Sequence, residues 1–161
     1  MKRFLIVLSA LLLIIGVIAT GLLTWRDFRD GGQLAEVEKQ VESLGSQAGG
    51  TAKDVYKGLL KNAGLDITSS RLTIAGVFSG ITLLLVLVVL VLLFMAKPDK
   101  SMIFGVALIV FAAVMIFINP SYETGPYGPA DARSIAMIAG IFSIVGAAGS
   151  LVVSKLKQKE A

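Results

Sequence analysis

The chain has 161 residues, 55% of them hydrophobic and 16% charged, with a net charge of +4 and neither Cys nor His. A soluble domain usually holds about 25% charged and about 45–50% apolar residues. The missing Cys and His exclude disulfides, thiolate and CxxC redox chemistry, His/Cys zinc centres and an imidazole base. The lysines cluster beside apolar blocks with no basic face or aromatic stacking platform, which argues against nucleic-acid binding.

The apolar excess sits in four blocks, 4–24, 72–96, 102–119 and 134–153, none of which contains an ionisable side chain. A helix needs about 20 apolar residues to cross about 30 Å of hydrocarbon, and inside lipid each backbone amide must find its partner within the helix. The pattern predicts an all-α, four-helix transmembrane bundle forming one unit over residues 1–161. The first block follows Met1-Lys2-Arg3, a start that also resembles a secretory signal with small residues near Ala19. The apolar run continues through Leu23 to Trp25. That is long for a signal h-region, and an uncleaved first span is expected.

Residues 25–71 form the largest segment between blocks. Leu34, Val37, Val41 and Leu44 recur at helical spacing, with Asp30 and Gln33 as a capping pair and Gly45 as a terminator. Val55, Leu59, Leu60 and Ala63 supply the face of a second short helix that starts at Thr51–Asp54 and stops at Gly64. Gly45–Gly50 is a turn between them. The expectation is a short helical hairpin that caps the bundle or offers a docking surface. Its seven basic and seven acidic residues favour no anionic ligand.

The second block carries Gly76 and Gly80 as a GxxxG, with Ala75 and Ser79 beside them. The other face of this block, rich in Leu and Val from Leu83 to Leu93, is expected to face lipid. The third block ends at Asn119-Pro120, a helix-stopping pair. The next connection holds Pro120, Pro126 and Pro129 with Tyr122 and Tyr127, which together with Trp25 are expected to anchor at a membrane interface. Asp66 and Asp131 are expected to cap a helix or remain solvated.

In that fourth block Ala136, Gly140, Ser143, Ala147 and Ser150 repeat at steps of four, three, four and three. Small residues along one seam let helix backbones approach closely. The seam can serve packing within the chain or contact with another subunit. The block hydroxyls can bond their own helix carbonyls.

Orientation follows from Lys and Arg. Residues 1–3, 97–101 and 154–161 carry seven of them in about 16 residues, against eight in roughly 60 for the other connections. This predicts both termini on the cytoplasmic side, the 25–71 hairpin extracytoplasmic, and the plasma (inner) membrane as the location. The layout is similar in outline to claudin-like tetraspan proteins, with Trp25 just after the first span. The paired loop cysteines of that pattern are missing, and no residue role carries over. In size and topology the chain also resembles small four-span multidrug transporters, but it lacks their intramembrane glutamate.

With no charged group in the blocks, no cofactor, metal or catalytic residue is expected. The favoured function is a non-catalytic accessory or scaffold subunit of a membrane complex, its partners being the lipid bilayer and protein subunits or further copies of itself. The alternatives are a transporter or channel component for an apolar or lipidic substrate, and a sensory or signalling module acting through the hairpin.

Overall fold

The computed structural model describes residues 2–47, 54–55, 58, 67–95, 98–121 and 131–159. Four helices account for nearly all of them: α1 (Lys2–Gln47), α2 (Ser69–Phe94), α3 (Pro98–Ile118) and α4 (Ala132–Lys159). Each is long and apolar enough to cross a membrane.

Local chemistry sets the helix ends. Thr68, extended at φ −106° and ψ 152°, accepts from Arg71 N at 3.3 Å and starts α2. Glu38 of α1 adds its carboxylate to the same end, accepting from Ser69 N at 3.1 Å and from the Ser69 hydroxyl. α3 opens on Pro98, whose missing N–H is no loss in a first turn. It stops at Ile118, where Asn119-Pro120 follows as the sequence predicts. Asp131 caps α4 by accepting from Ser134 N at 3.2 Å.

Each helix runs antiparallel to the next and the four close into a ring. α1 packs on α2 and α4, and α3 packs on the same two. The core lies along the ring axis in three apolar layers. Near the chain termini, Ala10, Leu13, Val86, Val89, Leu93, Leu108 and Val153 pack together. Leu23, Met115, Ala136 and Ala139 form the next layer. Leu72 and Ala132, with Leu34 and Ile67 against them, form the last, at what we call the arm end.

α1 departs from the sequence expectation. It is one helix of 46 residues, about 70 Å at 1.5 Å per residue, and has no boundary at Thr24. Asp30 does not cap. Its carboxylate is taken by Arg29 Nη2 at 2.7 Å and by Arg26 Nε at 3.7 Å. Two mid-helix glycines, Gly31 and Gly32, cost about 1 kcal/mol each relative to Ala. Gly31 is buried against α2, where a Cβ would stand 3.3 Å from Leu72 Cβ. Packing on α2 therefore overrides the local stop signal. Gly45 is helical as well. Of the second expected helix, Asp54, Val55 and Gly58 are helical; Thr51, Leu59 and its remainder lie outside the described residues, as do Tyr122 and Tyr127.

The small residues lie inside the bundle. Gly76 meets Asp27 and Phe28 of α1, and Gly80 meets Thr24. On α4, Ser143 faces Gly16 of α1, Gly140 faces Ile116 and the Ala112 carbonyl of α3, and Ser150 Oγ lies 3.2 Å from Ser101 Oγ. Ala136 and Ala147 are fully buried in the apolar layers. The seam is thus two inward faces of α4, one against α1 and one against α3.

The Leu83–Leu93 stretch also divides. Leu84, Leu87, Val88 and Val91 face outward, whereas Val86, Val89, Leu92 and Leu93 are buried. A straight helix in a four-membered ring turns only part of its circumference to lipid, so an all-apolar stretch supplies both surfaces.

These contacts predict a sharp contrast between two glycines. A Cβ on Gly146 would lie 2.8 Å from Leu13 Cγ and 3.2 Å from Leu13 N, whereas one on Gly21 meets nothing within 4 Å. Gly146→Ala is expected to lower unfolding stability in detergent by about 1–3 kcal/mol, the usual range for overpacking. Gly21→Ala should be neutral or mildly stabilising. Thermal unfolding of the two variants beside the parent chain checks this.

Candidate functional site

Between the second and third apolar layers lies a polar layer. It is built by α1, α2 and the residue that ends α3. Asp27 of α1 is fully buried, as is Ser79 of α2, and Asn119 is 2% exposed. Ser79 Oγ donates to Asp27 Oδ2 at 3.0 Å. Asn119 Nδ2 donates to Ser79 Oγ at 3.5 Å and to the Met115 carbonyl at 3.4 Å.

The backbone makes this possible through small residues. Gly76 lies one turn before Ser79 and leaves only 3.3 Å between its Cβ direction and the Asp27 Cβ. A larger residue there would hold α2 away from α1 and lengthen the Ser79–Asp27 bond. Ala75, fully buried, continues the same strip. The GxxxG therefore serves to seat a hydrogen bond.

A second group of charges lies beside it. Arg26 and Asp30 are 6% and 8% exposed. Arg29 donates through Nε to Asp30 Oδ1 at 2.7 Å, and its guanidinium carbon lies 4.6 Å from the centre of the Trp25 ring. This is the cation–π range. Trp25 is 61% exposed, so the Arg29–Trp25 pair covers the outward side of α1, while Asp27 occupies the inward side.

Two atoms of the polar layer lack partners. Asp27 Oδ1 and Asn119 Oδ1 are buried and accept no hydrogen bond from any described residue. A buried acceptor left unpaired costs about 1–3 kcal/mol, so two in one layer set it apart from ordinary helix packing.

Sequence reasoning names Ser79 as a neighbour of the GxxxG and Asn119 as part of a helix-stopping pair, and it counts Asp27 only among the charges of the 25–71 segment. The missed signal is periodic. Thr20, Asp27 and Gly31 follow Gly16 and Leu23 on the inward side of an uninterrupted α1. The remaining hydroxyls are less distinctive. Thr82 donates to the Phe78 carbonyl at 2.8 Å and Ser143 to the Ala139 carbonyl at 2.7 Å, each within its own helix.

The other sequence-derived positions are scattered. Leu34 joins the layer with Leu72 and Ala132, and Val41 is half-buried. Val37 and Val55 are exposed. For Leu44 the backbone is helical and its side chain lies outside the described set. Among its described side chains, this predicted face joins a core layer only at Leu34.

Removing Ser79's hydroxyl strands both carboxylate oxygens of Asp27. Ser79→Ala is expected to cost about 1–3 kcal/mol. Ser143→Ala, which deletes a bond made within one helix, should cost clearly less. Parallel denaturation in detergent gives the comparison, and equal losses would refute a special role for Ser79.

No family model, curated protein or solved structure matches the chain, so its function is read from its own residues.

Proposed function

We propose that this chain is a non-catalytic accessory subunit of a plasma-membrane complex, with both termini cytoplasmic and the far half of α1 presented outside as a protein-docking arm. The observation that carries this reading is the continuity of α1. From Trp25 to Gln47 it extends for 23 residues past the apolar block, about 35 Å. A flexible linker would not hold a surface at a fixed height. This segment is braced at Gly31 against Leu72, at Leu34 within the Leu72–Ala132 layer, and at Glu38 on the start of α2.

The arm's outward residues, among them Gln33, Glu36, Val37, Lys39 and Gln40, are exposed and of mixed polarity. Non-obligate protein interfaces are about as apolar as the general surface, and such a surface suits a partner that is also stable alone. The lipid-facing remainder, with Phe4, Leu11, Ile18, Leu84, Ile103 and Phe117 exposed, suits the bilayer.

Orientation rests on the Lys/Arg imbalance and has a direct test, because the chain has no native Cys to remove. A membrane-impermeant maleimide applied to intact cells is expected to label Gln40→Cys and to spare Gln158→Cys until the membrane is opened. The reverse pattern would invert the topology. For the docking arm, a photo-crosslinking residue at Val37 should give a discrete adduct of constant mass, and one at Leu84 should give lipid adducts only. An isolated monomer with no adduct at the arm would overturn the subunit reading. Lipid retained at fixed stoichiometry would favour a lipidic-substrate transporter instead.

A further inference from the structure

We propose that the polar layer at the arm end is a binding site for a small monovalent cation of the sodium or lithium type, with Asp27 Oδ1 and Asn119 Oδ1 as its principal ligands and Ser79 Oγ beside them. The first support is the chemistry of the unsatisfied atoms. Both are acceptor oxygens, both are buried, and neither has a partner among the described residues. Neither oxygen can donate to the other while Asp27 is ionised.

The second support is convergence. Asp27 and Asn119 come from different helices and share one hydroxyl. Ser79 Oγ bonds the carboxylate at 3.0 Å and receives the amide Nδ2 at 3.5 Å. A carboxylate, an amide carbonyl and a hydroxyl form an all-oxygen set, which suits hard cations rather than soft transition metals.

The third support is the count of charges. The fixed charges that act on Asp27 are Arg26, which attracts it, and Asp30, which repels it. Arg26 Nε lies 3.7 Å from Asp30 Oδ2, and Arg29 pairs with the same carboxylate at 2.7 Å, so two Arg and two Asp side chains share this level. Gly76, Ser79 and Asn119, which face Asp27 from the other helices, are neutral. The proposed ligand set thus holds a single carboxylate, which matches a monovalent ion. Divalent ions usually collect several carboxylates, and among the described residues no three acids converge. The apolar layers on either side, Leu23 with Met115 and Leu72 with Ala132, would exclude bulk water from a bound ion and strengthen its attraction to Asp27.

The test uses the full chain purified in detergent at fixed pH and ionic strength. Thermal unfolding is followed while N-methylglucamine chloride is replaced by sodium or lithium chloride. Expected is a saturable rise in Tm of several degrees, lost in Asp27→Asn and kept in Ser143→Ala. If Asp27→Asn does not fold, ²³Na line broadening on the parent chain takes its place, with Ser79→Ala as the second variant. Broadening that lithium competes away and N-methylglucamine does not, weakened about tenfold or more in Ser79→Ala, supports the site. Identical unfolding curves in both salts would overturn the proposal, as would a sodium effect that survives in folded Asp27→Asn. A rise obtained by lowering pH alone, with no difference between cations, would assign the site to a proton and would equally overturn it.

Discussion

The hydrogen bond from Ser79 to Asp27 fixes how α1 and α2 meet, and much of the arm end follows from it. A carboxylate on an inward helix face can be buried only if a neighbouring helix brings a donor within reach. Ser79 does so because Gly76 and Ala75 remove the bulk that would keep the backbones apart. Once α2 is that close to α1, Gly31 packs on Leu72 and Glu38 reaches the first turn of α2. One close approach thus organises about four turns of α1 beyond its apolar block.

The apolar part of the fold was legible because lipid and core ask for the same residues. Four charge-free blocks give four helices, and the stop at Asn119-Pro120 rests on local chemistry. The course of α1 was not legible for the opposite reason. Asp30, Gly31, Gly32 and Gly45 all carry local signals against an unbroken helix, and at Asp30 and Gly31 a partner overrides them. Arg26 and Arg29 take the Asp30 carboxylate, and Leu72 fills the space at Gly31.

The candidate site was hidden by the same error. If α1 ends at Thr24, Asp27 belongs to a loop and is solvated. If the helix continues, Asp27 falls in register with Thr20 and Gly31 on the face toward α2. A charge-free apolar block therefore does not imply a charge-free bundle, because the bundle extends past the blocks that define it. The small-residue seam of α4 teaches a related point. Its spacing was readable, but whether it met α1, α3 or another chain depended on how the ring closes, which no single helix encodes.

The polar layer and the arm are also connected mechanically. Apolar packing tolerates sliding and rotation at modest cost, since dispersion is weakly directional, whereas hydrogen bonds to a buried carboxylate have a narrow geometry. Placing the directional contacts at the root of the arm fixes its angle where an error would be magnified most, because a few degrees there displaces the tip by several ångströms over about 35 Å. The charged and amide groups at Arg26, Asp27 and Asn119 thus lie where rigidity matters, and the apolar layers toward the termini supply the bulk of the burial. That division of roles explains why the ionisable residues buried among the helices gather at one level instead of being spread along the bundle.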